Sequence, residues 1–127
     1  MNLQTALAIG SGGFLGAISR AYLSLLVNRL FPHSIPFGTL FVNLIGSLLI
    51  GILFATFEHI SISQNTKMLL TTGFLGALTT YSTFAIESFF LFKTDIKLAI
   101  LNMGLNLIGT IVLATIGYKL TDYLFNN

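Results

Sequence analysis

The sequence predicts an all-α integral membrane protein with four transmembrane helices, the third of them broken near its middle. Three observations carry that reading. Hydrophobic residues make up 54% of the 127 and charged residues only 8%, against roughly 25% charged in an ordinary soluble domain. The apolar residues fall in four long blocks instead of alternating with polar ones, and a hydrocarbon core about 30 Å thick takes roughly 20 helical residues to cross. The stretch from Gly73 to Phe84 also sets five hydroxyls and two glycines inside one such block. Glycine lets a helix break or be closely approached, and hydroxyls satisfy the backbone groups that a break sets free.

The first span is expected over about residues 3–28. Met1-Asn2-Leu3-Gln4-Thr5 lacks the basic start of a secretory signal, so this block is expected to be retained as a span. Gly12, Gly16 and Arg20 stand at i, i+4 and i+8 on one face. That face packs against a neighbour with Arg20 snorkelling to the headgroups, or else Arg20 adds positive potential beside an anion route. Pro32 and Pro36 then stop one helix and introduce the next, with His33 in the connector between them.

The second span is expected over about 38–57 and carries no charge. Thr39, Asn43, Gly46 and Ser47 make one polar and small stripe along it. A lone intramembrane asparagine at its centre is either interhelical glue or a ligand. Glu58 to Lys67 reads as a polar loop, and Glu58 beside His59 does not have metal-ligand spacing.

The third span, about 68–92, contains the hydroxyl-rich stretch, with Glu87 as its only charge. Thr80, Thr83 and Glu87 share one face, while Tyr81 and Phe84 lie i, i+3 on the next. On spacing alone the ring pair reads as core packing sooner than as a site. After a turn over 93–97, the fourth span runs about 98–118, with Asn102, Asn106 and Thr110 in an i, i+4, i+8 line. Three polar lines in so short a chain imply an oligomer enclosing a water-accessible path. Lys67 and Lys119 on one side face Arg29, Lys93 and Lys97 on the other, so the positive-inside rule sets no orientation.

Several classes are excluded. A net charge of +2 without a basic patch does not fit nucleic-acid binding. The chain has no cysteine, no phosphate loop, no Gly-x-Ser-x-Gly turn and no span with paired carboxylates. Disulfide, nucleotide-driven and hydrolytic chemistry therefore lack their parts, and no enzyme is expected.

Read in order, three motifs carry a resemblance across essentially the whole chain. They are Gly12-Gly13-Phe14-Leu15-Gly16 leading to Arg20, Gly38-Thr39-Leu40-Phe41-Val42-Asn43-Leu44-Ile45-Gly46, and Gly73-Phe74-Leu75-Gly76 followed by Thr79-Thr80-Tyr81-Ser82-Thr83-Phe84. The chain resembles bacterial fluoride channels of the Fluc, or CrcB, family. The resemblance implies an antiparallel, dual-topology homodimer in the cytoplasmic (inner) membrane, with two fluoride pores and passive export that reduces fluoride toxicity. It also implies a structural sodium ion at the dimer centre, held by the backbone carbonyls of Gly76 and Thr79.

By the same resemblance Asn43 lines the pore, and Tyr81 and Phe84 present ring edges to the anion. Ser82, Thr83, Asn106 and Thr110 continue the path, and Arg20 and Glu87 stand near its vestibules. The common family form is Phe-Ser-Thr-Phe, from which this chain departs at Tyr81. The alternative is a small dual-topology multidrug transporter, which characteristically uses a glutamate in the first span where this chain has Arg20.

Overall fold

A computed structural model describes residues 1–127 as helices joined by short connectors, without a strand. Helix α1 spans Leu3–Leu30 and α2 spans Phe37–His59. A short α3, Gln64–Met68, runs directly into a π-helical stretch, Leu69–Leu75, and a single α-helical turn, α4, Gly76–Leu78. The chain then breaks and resumes as α5, Tyr81–Thr94. The last helix, α6, covers Ile96–Asn126.

Three helical stretches, 37–59, 64–94 and 96–126, are long and apolar enough to cross a membrane. Helix α1 has the length, with 28 residues, but its serines and two arginines make it less apolar.

Local chemistry sets the ends. Asn2 caps α1 by accepting Thr5 N–H, and Ser63 caps α3 by accepting Thr66 N–H. The third span therefore starts at Gln64, four residues before the start expected at Met68. Between α5 and α6 only Asp95 remains; its carboxylate accepts the N–H groups of Lys97 and Leu98, so the expected five-residue turn collapses to one capping residue. Both Glu58 and His59 belong to α2 rather than to a loop.

Helix α6 continues eight residues past the expected end at Tyr118. Pairing across to α2 holds the extension. Tyr118 Oη donates to Glu58 at 2.6 Å, His59 Nε2 lies 2.8 Å from Asp122, and the His59 ring stacks on Phe125 at 4.8 Å.

Close helix contacts run through glycine. A Cβ on Gly12 would strike the Leu69 carbonyl, and one on Gly73 would lie 2.6 Å from the Ile9 carbonyl, so α1 presses directly on the π-helical stretch. Between α2 and α6 the same holds at Gly51 and Gly117, whose added Cβ atoms would meet the backbone of Ala114 and Leu48. Such backbone approach replaces the apolar driving force that lipid does not provide.

Candidate functional site

The break in the third span is the centre of the polar structure. Thr79 and Thr80 are extended, with ψ of 158° and 116°. Thr80 then caps α5, its Oγ1 accepting Thr83 N–H at 3.2 Å. An extended pair inside a span leaves backbone groups without helical partners, and these must be satisfied within the protein.

Asn43, on the buried side of α2, satisfies two of them at once. Its Oδ1 accepts Thr80 N–H at 2.8 Å, and its Nδ2 donates to the Thr80 carbonyl at 3.1 Å. The second amide hydrogen goes to Asn106 Oδ1 at 2.9 Å. Asn106 Nδ2 in turn reaches the Asn102 carbonyl at 3.0 Å, and Asn102 Nδ2 reaches Ser88 Oγ at 3.1 Å. Thr110 closes the line by donating to the Asn106 carbonyl at 2.6 Å. The polar lines of the second and fourth spans thus meet each other and the break.

Two concavities share this frame. One of about 220 Å³ is lined by Asn43, Tyr81, Phe84, Asn106 and Thr110, with Met103 and Leu107. It brings together five of the seven residues placed on the fluoride path by resemblance. The other, about 340 Å³, runs from Asn43 and Ser47 past Thr71 to Gly76, Thr79 and Thr80. Tyr81 and Phe84 lie edge to face, centroids 5.4 Å apart at 64°. Tyr81 is 81% exposed, so its ring and hydroxyl stand at the protomer surface.

The remaining expected residues lie apart. Ser82 is exposed, and Thr83 accepts the Thr80 hydroxyl at 3.0 Å. Glu87 Oε1 receives Thr39 Oγ1 at 2.5 Å, which ties α5 to α2. Arg20 does not pair with Glu87; the one salt bridge in the chain is His59 with Asp122. Arg20 Nε is buried without a hydrogen-bond partner in the protomer.

The backbone at Gly76 and Thr79 has the chemistry of a hard-cation site. The helical donor to the Gly76 carbonyl is Thr80 N–H, which is engaged by Asn43; the donor to the Thr79 carbonyl is Thr83 N–H, which is engaged by Thr80 Oγ1. Both carbonyls have therefore lost their i+4 partners. They offer neutral oxygen donors of the kind such a cation takes.

Sequence reasoning missed Thr80 and Ser88 as site-forming residues. Thr80 has a local signal, since a hydroxyl residue four positions after Gly76 and just ahead of an apolar helical run fits an N-cap. Ser88 has none, because its partner lies on another helix.

Comparison with known proteins matches the sequence to a family. The family model described as "CrcB-like protein, Camphor Resistance (CrcB)" matches residues 7–118. A protein of Sulfurimonas denitrificans named fluoride-specific ion channel FluC is 55% identical over 120 residues, covering 93% of each chain. One of the same name from Nautilia profundicola is 55% identical over 122 residues, 94% of each. A third, from Campylobacter jejuni, is 44% identical over 117 residues, 91% of this chain and 96% of its own. These relatives are named as ion channels and not as enzymes. With a family match over nearly its whole length and relatives this close, the chain belongs to the CrcB family of multi-pass membrane proteins, the family of the fluoride-specific ion channels.

Proposed function

We propose that the chain is a fluoride-selective channel of the bacterial inner membrane that lets cytoplasmic fluoride leave passively. The carrying observation is the 55% identity, over 93% of the chain, to a protein named as a fluoride-specific channel. The gathering of Asn43, Tyr81, Phe84, Asn106 and Thr110 round one concavity supports it.

Fluoride holds its hydration shell tightly, so a path for it needs close donors and positive ring edges. Tyr81, Ser82 and Thr83 supply hydroxyls, Phe84 and Tyr81 supply ring edges, and Asn43, Asn106 and Thr110 form the polar wall behind them. Arg20 and Glu87 stand nearer the ends, the arginine favouring anion entry. Because Tyr81 and Ser82 open outward, one protomer provides half of a wall. The working unit in this reading is an antiparallel homodimer with two pores, each lined by both copies.

A sodium ion at the dimer centre fits the same reading. The carbonyls of Gly76 and Thr79, doubled by the second copy, would hold it. Its charge would neutralise carbonyl oxygens that the break leaves without donors and so join the two copies.

Fluoride efflux from liposomes carrying the purified protein tests the proposal, with a potassium ionophore to balance charge and chloride as the comparison ion. Rapid fluoride release without chloride release is expected. A folded protein that releases neither ion would sink the reading.

A further inference from the structure

Tyr81, Phe84 and Ser88 stand at i, i+3 and i+7 of α5, so the ring pair and the serine share one face. Ser88 and Leu91 are the only buried residues of α5. The helix packs chiefly on α6, and side-chain bonds to it from other helices are few, Thr39 to Glu87 and Asn102 to Ser88. Of these only the second is on the face of the rings. Rotation of the helix about its own axis would swing both rings.

Ser88 is gripped from α6 by Asn102, which is fully buried and donates Nδ2 to Ser88 Oγ at 3.1 Å. That bond is the end of a chain with one direction. Thr80 N–H can only donate and its carbonyl can only accept, so they fix which way the Asn43 amide faces. Asn43 then donates to Asn106 Oδ1, and Asn106 donates to Asn102 Oδ1 at 3.3 Å. Turning one amide would set donor against donor. The chain leaves the third span at the residue before α5 and returns to α5 two turns later, with Tyr81 and Phe84 between its ends.

We propose that the Ser88–Asn102 hydrogen bond is a positioning device that fixes the rotation of α5 and with it the aim of the Tyr81 and Phe84 rings. Its bearing on conduction rests on the reading that those rings border the fluoride path. Neither Ser88 nor Asn102 lines either concavity, so the pair acts through the rings and not on the ion. The net strength of one hydrogen bond corresponds to roughly a fivefold to tenfold preference for the aligned helix.

The test has a readout besides flux. The chain has four tyrosines, so 3-fluorotyrosine labelling gives a small set of fluorine resonances, and Ser88→Ala is read at the Tyr81 line, assigned with Tyr81→Phe. The line is expected to shift or broaden while those of Tyr22, Tyr118 and Tyr123 stay, and fluoride efflux is expected to fall by roughly fivefold to tenfold. Ser88→Thr restores both, whereas Ser88→Val, of the same shape without the hydroxyl, does not. An unchanged Tyr81 line in Ser88→Ala overturns the proposal. Movement of all four lines together, or equal behaviour of the threonine and valine variants, also overturns it. A Tyr81 line that responds as expected in a protein without fluoride efflux supports the positioning role and removes the channel reading instead.

Discussion

Asn43 and Thr80 bond each other twice across the break in the third span, once through Thr80 N–H to Asn43 Oδ1 at 2.8 Å and once through Asn43 Nδ2 to the Thr80 carbonyl at 3.1 Å. One side chain thereby does for the broken helix what a further turn would have done. Thr80 is buried and away from any competing solvent. Asn43→Ala strands one buried donor, Thr80 N–H, and two buried acceptors, the Thr80 carbonyl and Asn106 Oδ1, and a stranded group costs about 1–3 kcal/mol. The expected outcome is a loss of about 2–5 kcal/mol in stability in detergent, together with reduced fluoride efflux. A folded protein with normal efflux would return Asn43 to plain helix packing.

Tyr81 and Phe84 are expected to respond differently to substitution. Tyr81 stands at the surface with its ring edge to face with Phe84, so Tyr81→Phe keeps that pair. Efflux is expected to stay within about threefold of the parent, since the ring edge is retained. Phe84→Ile removes the ring that both borders the concavity and seats Tyr81. Efflux is expected to fall at least about tenfold, a loss of about 1.4 kcal/mol or more. Equal efflux in the two variants would detach the ring pair from the path.

Gly51 and Gly117 set the distance between α2 and α6. A methyl group at Gly51 would meet the Ala114 carbonyl and lie 2.8 Å from Tyr118 N, both backbone atoms of a helix that cannot give locally. Gly51→Ala is expected to destabilise the fold by about 1–3 kcal/mol, as overpacking does. Gly10 and Gly104 are the controls, because a Cβ there meets nothing within 4 Å in the protomer. Unfolding in denaturant should separate Gly51→Ala from Gly104→Ala.

The contrast between these glycines also marks what the sequence can disclose. The broken third span was legible, because five hydroxyls from Thr79 to Thr83 are out of place in an apolar block unless a break or a polar path needs them. Membership of Asn43, Asn106 and Thr110 in polar lines was legible from the helical repeat. That the lines meet was not, since bonds such as Asn43 to Asn106 join residues 63 apart. The extension of α6 escaped for a related reason. Its polar turn at Lys119, Thr121 and Asp122 reads as a helix end until His59 and Glu58 are seen facing it from α2. The π-helical stretch at Leu69–Leu75 left no signal in residue type.

Glu87 offers a test of charge without loss of shape. Thr39 donates its hydroxyl to Glu87 Oε1, and glutamine keeps an acceptor oxygen in the same place. If the carboxylate charge acts on the anion queue, Glu87→Gln changes efflux against pH while leaving stability within about 1 kcal/mol of the parent. Efflux measured between mildly acid and mildly alkaline pH, with protein-free liposomes subtracted, checks it. Superimposable profiles would assign Glu87 to tying α5 to α2 and nothing more.

The proposed sodium ion bears on the break from the other side. Asn43 and Thr80 Oγ1 take up the N–H groups of Thr80 and Thr83, and the carbonyls of Gly76 and Thr79 are what they leave over. In a dimer with these segments opposed, four such oxygens gather without a donor among them. An ion with hard-cation chemistry relieves that repulsion, and a larger cation fits the same oxygens less well. Exchange of sodium for potassium or an organic cation is therefore expected to lower the dimer fraction on cross-linking and the efflux together. A dimer fraction indifferent to sodium would remove the ion from the proposed assembly and leave the stranded carbonyls to water or to the second copy.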